Sequence, residues 1–182
     1  LYVKRRILTI FADIPSMEES ERIIRIPPKT SLLDEGDIAE NIYIIRQGCL
    51  RLWFNDNGKD ITFQFFFEGE MVASFDSLHF ATPSLFTLES IESSEVEVIA
   101  KERFYEMIEK DAALRKKYEN KLIERFHTYQ QLFLSRIKNT PKQRYEELLS
   151  KRPDIVSRVP QHYIASYLGI TPVSLSRIRS RK

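Results

Sequence analysis

The chain has 182 residues, 42% of them hydrophobic, with 28 Lys and Arg against 26 Asp and Glu for a net charge of +2. That suits one large or two small domains with a real core; no stretch approaches the roughly 18 consecutive apolar residues of a membrane span, and the N-terminus lacks the apolar run and cleavage site of a signal peptide, so no membrane partner and a cytoplasmic location are expected. The single cysteine, Cys49, cannot make an internal disulfide, which fits a reducing compartment, and it excludes a cysteine-ligated iron–sulfur cluster, which needs several thiolates.

In chain order, β structure comes first. Residues 42–46, 49–54, 61–67, 85–88 and 96–99 are short runs rich in β-branched and aromatic side chains, the composition of strands. Turn signals separate them at Glu35-Gly36-Asp37, Gln47-Gly48, Asp56-Asn57-Gly58 and Glu68-Gly69-Glu70. Those turns hold every glycine except Gly169. Asn57-Gly58 between alternating runs predicts a tight hairpin. Many short strands at this spacing predict a sandwich or jelly roll.

After Ala100 the period changes. Residues 102–108 read as a short helix. Leu114, Tyr118, Leu122, Phe126, Tyr129, Phe133 and Ile137 then recur at spacings of three and four, with Ile123 and Leu132 widening the stripe. They predict an amphipathic helix of roughly 25 residues, about 38 Å long. One side is expected on the β domain and the other in a coiled coil with a second subunit; burial wholly within one chain is the alternative. Asn139-Thr140-Pro141 predicts a hinge, and residues 141–150 a further helix.

Residues 161–180 read as a helix-turn-helix, the unit that places a helix in the major groove of DNA. Ile164 and Leu168 share one helix face, and Ala165 is small where two helices cross. Gly169 ends the first helix, where a left-handed backbone costs glycine least. Ile170 plugs the turn, Thr171 suits an N-cap and Pro172 the first helical position. Leu175 and Ile178 return to the core, leaving Val173, Ser174, Ser176 and Arg177 on the open face. An ordinary helical hairpin is the plain alternative. Charge favours the first reading. From Asn139 to Lys182 nine Lys and Arg stand against three Asp and Glu, a net of +6, whereas Leu1 to Lys138 carries nineteen against twenty-three, a net of −4. A basic tail on an acidic body is what a polyanion-binding module needs.

Nearly the whole chain resembles the Crp/Fnr superfamily of bacterial transcription regulators. The resemblance rests on residues 43–52, on Glu68-Gly-Glu-Met, on residues 88–99 and, most specifically, on Ile164-Ala-Ser-Tyr-Leu-Gly-Ile-Thr-Pro. The last is similar in wording to the branch found in Bacteroidetes-type bacteria. The resemblance implies an α+β fold: an N-terminal double-stranded β-helix (jelly roll) as a cyclic-nucleotide-binding-like effector domain over 1–110, a long dimerisation helix over 111–138, and a winged-helix-like helix-turn-helix domain over 139–182. It implies a homodimer on a pseudo-palindromic site in double-stranded DNA, in contact with RNA polymerase. The wing itself is expected to be shortened, with Lys151, Arg152 and Arg158 replacing its backbone contacts.

The same resemblance implies the sites. Cyclic-nucleotide binders of the family carry Gly-Glu for the ribose and, about a dozen residues on, Arg-Ser or Arg-Thr for the phosphate. Gly69 and Glu70 match the first part, but no Arg or Lys occurs between Val72 and Ala100. A buried phosphate there lacks its charge-assisted partner, so cyclic AMP is not the expected effector and Glu70 also fits a plain turn. The effector pocket is expected around Gly69, Glu70, Met71, Ser84, Leu85, Thr128 and Tyr129, with no cofactor implied and the small-molecule effector, if any, unidentified. Tyr129 fits a ligand wall or the dimer core equally; Tyr118, Leu122, Phe126, Tyr129 and Phe133 are the dimer-helix candidates. The family's base-reading glutamate, serine or threonine, and arginine fall on Val173, Ser174 and Arg177. Arg177 suits a guanine and Val173 a thymine methyl, so the family's usual half-site is not assumed. Thr171, Ser176, Arg179, Arg181 and Lys182 are phosphate candidates, which set register rather than sequence.

No enzyme is expected. A cupin-type metal site needs clustered histidines, and His79, His127 and His162 fall in separate segments. No nucleophile elbow, phosphate-binding loop or dinucleotide fingerprint occurs. The competing class is an effector-binding or interaction module without specific DNA binding.

Overall fold

The structure, a computed structural model, describes residues 22–180. Arg181 and Lys182 lie outside the described residues. Among the described residues eight strands come first: β1 (Arg22–Ile26), β2 (Ser31–Leu33), β3 (Asn41–Gln47), β4 (Leu50–Asp56), β5 (Lys59–Phe66), β6 (Met71–Val72), β7 (Thr87–Ser90) and β8 (Ser94–Ala100), with helix α1 (Phe75–Phe80) between β6 and β7. They form two four-stranded sheets, ordered β1-β8-β3-β6 and β2-β7-β4-β5. That is the strand order of a jelly roll.

Local chemistry explains the register. Asn57 and Gly58 both have positive φ, 51° and 84°, the backbone of the tight turn whose twist matches its flanking strands. Gly48, between β3 and β4, has φ 105°. A Cβ there would lie 2.7 Å from the Ser94 Cα, so only glycine lets the two backbones approach. Ile42, Ile44, Leu50, Leu52, Leu88, Val96 and Ile99 are buried core residues of the strands. Arg51 of β4 is buried with them; it faces Glu89 of β7 in the register, donates to its carboxylate through Nε at 3.0 Å and Nη2 at 2.7 Å, and lies 4.8 Å from the Trp53 ring centre.

β1, β2, β6 and α1 were not expected from sequence. β2 and β6 are three and two residues long, too short to show a period. In β1 only Ile26 is buried, so no alternation marks it. β7 begins two residues later than the expected run at Leu85. The Ser84 backbone is bonded to Gly36 and Asp37 and its hydroxyl donates to the Phe86 carbonyl, which makes a turn where a strand was expected and leaves Leu85 63% exposed.

Seven helices complete the described chain. After α1 come α2 (Lys101–Lys110), α3 (Ala112–Lys138), α4 (Pro141–Lys151), α5 (Pro153–Arg158), α6 (Gln161–Leu168) and α7 (Pro172–Ser180). Asp111 alone separates α2 from α3; its carboxylate accepts from the amides of Ala113 and Leu114, an N-cap that starts the 27-residue helix. Thr140 and Gln143 form a reciprocal capping box at the start of α4, with Pro141 in its first turn. α5 occupies the segment expected to hold a reduced wing, and no strand occurs between residues 139 and 180, which corrects the winged-helix expectation. Pro153 starts this short helix and Pro160 follows it, leaving no extended run for a hairpin. Tyr145, Leu148, Ile155, Val159, Ile164, Ala165, Leu168 and Leu175 form the buried core of the C-terminal helices.

The chain divides into two compact units. One holds the described residues up to Phe54 with Gln64–Lys117; the other holds Asn55–Phe63 and the residues from Tyr118 on. The tip of the β4–β5 hairpin thus clusters with the C-terminal helices.

Candidate nucleic-acid interface

The junction between α6 and α7 is built from its own sequence. Gly169 takes the left-handed conformation, φ 66° and ψ 38°. Its amide donates to the Ser166 carbonyl at 2.9 Å, and the Ile170 amide to the Ala165 carbonyl at 3.0 Å. This is the Schellman pair, which satisfies carbonyls that the helix end leaves open. Thr171 Oγ1 accepts from the Ser174 amide at 3.1 Å and donates to the Ser174 hydroxyl at 3.0 Å, with Pro172 as the first residue of α7. Ile164, Ala165 and Leu168 of α6 and Leu175 of α7 are buried.

The exposed side of α7 carries Val173, Ser176, Arg177 and Ser180. Spacings of three, four and seven put these on one face. Ser180 was missed by sequence reasoning, although its offset of seven from Val173 was there to read. Ser174 is half-buried beside this face, with its hydroxyl on the Thr171 cap. Thr171 and Arg179 are exposed.

Behind α7, α6 is held at three successive residues. The Ser166 hydroxyl accepts from the Thr62 amide at 2.9 Å and donates to the Asp60 carbonyl at 2.7 Å. Arg136 of α3 donates to the Tyr167 carbonyl at 2.9 Å. Arg144 of α4 donates to the Leu168 carbonyl at 3.2 Å and the Asn139 carbonyl at 2.8 Å. Two guanidinium groups therefore meet the negative end of the α6 dipole. Burial pushes the neighbouring Tyr167 hydroxyl above its ordinary pKa, with Arg152 and Arg136 opposing.

The expected hinge is also tied. Glu147 accepts from Lys151 at 2.7 Å, Ser135 at 2.6 Å and Asn139 at 3.3 Å. The bonds from Lys151 and Ser135 hold its carboxyl below the ordinary value of 4.5. Lys151 is thus ion-paired to Glu147, and Arg152 to Asp154 at 2.9 Å, so these side chains, expected to replace the wing, already have acidic partners; Arg158, expected with them, is exposed.

On α3 the apolar stripe splits in two. Leu114, Tyr118, Tyr129 and Leu132 are half-buried, and the Tyr129 ring lies 5.2 Å from that of Phe63 at the hairpin tip. Leu122, Ile123, Phe126, Phe133, Leu134 and Ile137 are exposed. Of the dimer-helix candidates, Leu122, Phe126 and Phe133 lie on the open side, and Tyr118 and Tyr129 on the covered one. Thr128 is exposed and its hydroxyl donates to the Glu124 carbonyl.

The expected effector residues of the β-rich unit are mostly used by the fold. Gly69 has φ 78° and donates to the Ile45 carbonyl. The Glu70 carboxylate accepts from the Phe67 amide at 2.7 Å, closing its own turn. Met71 is buried opposite Ile44. The buried Ser84 hydroxyl bonds Ser74 at 2.8 Å as well as the Phe86 carbonyl. Among the described residues no group of three or more His, Cys, Asp or Glu side chains could hold a metal, and no helix is long and apolar enough to cross a membrane.

Residues 23–111 match the family model of the cyclic nucleotide-binding domain. No curated protein matches the chain by sequence. Among solved structures the chain is similar to FixK2 from Bradyrhizobium japonicum, with a TM-score of 0.76 at 16% identity over 90% of this chain and 84% of that one. It is similar to a CooA mutant from Carboxydothermus hydrogenoformans, with a TM-score of 0.74 at 15% identity over 94% and 83%. It is also similar to the c-di-GMP responsive global regulator CLP of Xanthomonas campestris, with a TM-score of 0.72 at 18% identity over 88% and 86%. At such identities the likeness is one of fold, and it takes in the C-terminal helices as well as the strands.

Proposed function

We propose that this chain is a transcription regulator of the Crp/Fnr type that works as a homodimer and reads a pseudo-palindromic DNA site with α7. The observation that carries the reading is the α6–α7 junction: a Schellman turn and a threonine cap present Val173, Ser176, Arg177 and Ser180 on one open face, over a buried core, in the basic part of the chain. In this reading α6 and α7 are a helix-turn-helix. Arg177 contacts a guanine, Val173 a thymine methyl, and Ser174 reaches a base or phosphate at the edge of the face. Thr171, Ser176, Arg179, Arg181 and Lys182 meet phosphates.

Residues 1–110 serve as the effector domain, 111–138 as the dimerisation helix and 139–182 as the DNA-binding domain. The protein acts in the cytoplasm on double-stranded DNA and RNA polymerase and catalyses no reaction. The effector is not cyclic AMP, because the segment from Val72 to Ala100 supplies no Lys or Arg for a cyclic phosphate. Gly69, Glu70, Met71, Ser84 and Leu85 are the β-rich unit's proposed effector positions.

Selection from random duplex DNA by the purified protein tests the reading. A two-fold palindrome with half-sites about one helical turn apart is expected, and Arg177→Ala is expected to lose roughly 1–3 kcal/mol at the guanine it reads. Unchanged affinity and sequence preference in Arg177→Ala would leave an interaction module instead.

A further inference from the structure

We infer that Ser166 is a positioning residue for DNA recognition: it clamps α6 to the outer edge of β5 and so fixes where α7 presents its open face. This rests on reading α7 as the DNA-facing helix.

Among the described residues β5 ends its sheet, with β4 on one side and no strand on the other. A strand edge exposes a row of amides and carbonyls that must find partners. The two-residue turn at Asn57-Gly58 pairs Asp56 with Lys59, so Asp60 and Thr62 direct their backbone groups outward, away from β4. Those are the two groups Ser166 takes: its hydroxyl accepts from the Thr62 amide at 2.9 Å and donates to the Asp60 carbonyl at 2.7 Å. One hydroxyl can do both because it is donor and acceptor at once. A second contact holds the same hairpin tip, the Phe63 ring against Tyr129 of α3 at 5.2 Å.

The clamp completes a three-point fixture. α6 is held by the hairpin at Ser166, by Arg136 of α3 at the Tyr167 carbonyl and by Arg144 of α4 at the Leu168 carbonyl. Three points fix an orientation where two allow rotation about the line between them. Only three residues, Gly169 to Thr171, separate α6 from α7, and both of their turn bonds are made. The direction of α7 therefore follows that of α6. The clamp leaves Val173, Ser176, Arg177 and Ser180 exposed, so it presents the reading face rather than hiding it. Pre-ordered presentation favours binding.

The full-length protein, Ser166→Ala and Ser166→Thr test this. Each would be titrated with the palindrome selected by the wild type and with versions one base pair longer or shorter between half-sites. Exchange of the Thr62 amide would be followed in the free proteins. Ser166→Ala, which loses both bonds, is expected to bind the selected palindrome several-fold to roughly tenfold more weakly, the scale of a modest net loss of hydrogen bonding. It is expected to discriminate less between spacings and to exchange the Thr62 amide faster, while Ser166→Thr, which keeps the hydroxyl, restores all three. Weakened spacing discrimination is the readout that mere loss of stability would not produce. Unchanged Thr62 exchange would overturn the clamp. Faster exchange with unchanged affinity and spacing preference would overturn the positioning role, as would tighter binding by Ser166→Ala. A wild type that selects no palindrome would overturn the DNA reading and the positioning role with it, while Thr62 exchange would still decide whether the clamp exists.

Discussion

Arg51 and Glu89 show what a single pair of residues commits the fold to. Both are buried, they stand opposite each other on β4 and β7, and two bonds join them. Removing one partner of a buried pair strands the other charge, at a cost of roughly 3–5 kcal/mol. Glu89→Ala is therefore expected to lower the denaturation midpoint sharply, whereas a change at exposed Glu124 is expected to leave it nearly unmoved. Glu147 makes a different prediction, because it lies on α4 and joins it to Ser135 of α3. Lys151 and Ser135 hold its carboxyl below the ordinary 4.5, so the folded state binds that proton less tightly than the unfolded chain does. Its stabilising contribution is complete above the unfolded value and is lost as pH falls through the lowered one. Acid titration should thus destabilise the wild type below about pH 4.5 more than it does Glu147→Gln. Identical pH–stability slopes in the two proteins would contradict that assignment.

Glycines mark the limits of elements, and two of them separate what backbone conformation costs from what space costs. Gly169 has φ 66° with open space where a Cβ would go. Gly169→Ala should therefore cost only left-handed strain, about 1–2 kcal/mol. At Gly48 the added Cβ would meet the Ser94 backbone at 2.7 Å on top of a φ of 105°. Thermal unfolding should rank Gly48→Ala well below Gly169→Ala, and equal losses would mean that β8 yields at Ser94. Both positions were legible as turns from glycine placement alone. So were the long strands, the hairpin at Asn57-Gly58, the extent of α3, the end of α6 and the start of α7, because each has a local cause in a period, a cap or a turn residue. What escaped has causes that lie elsewhere in the chain. β1 is extended because it pairs with β8, and Ser84 turns where a strand was expected because Asp37 and Gly36 hold its backbone. In the candidate interface, the face of α7 followed from spacing, but the clamp at Ser166 joins residues more than a hundred positions apart and left no local trace.

For the molecule as a whole, the uncovered side of α3 has the strongest consequence. Ile123, Phe126, Gln130, Phe133 and Ile137 follow alternating steps of three and four, the seam of a two-stranded coiled coil. Phe126 and Phe133 are 63% and 65% exposed, and Ile137 is 66% exposed. An apolar row of this length left in water is a surface that calls for a partner. In the proposed homodimer a second copy of the same helix would supply the matching heptad, and Gln130 at one core position would fix the register of the pair, as a single buried polar residue does elsewhere. Charges on the seam should then separate the subunits without unfolding them, since α3 has no buried residue of its own chain to lose. Phe126→Glu combined with Phe133→Glu is expected to sediment as a monomer at concentrations where the wild type is a dimer, with helical circular dichroism retained. Its binding to a palindrome should fall towards that of a single half-site, because the second half-site no longer benefits from tethering to the first. If the double variant still sediments as a dimer, the seam is not the interface. If it becomes a monomer yet binds the palindrome as before, DNA recognition does not depend on pairing two α7 helices across α3.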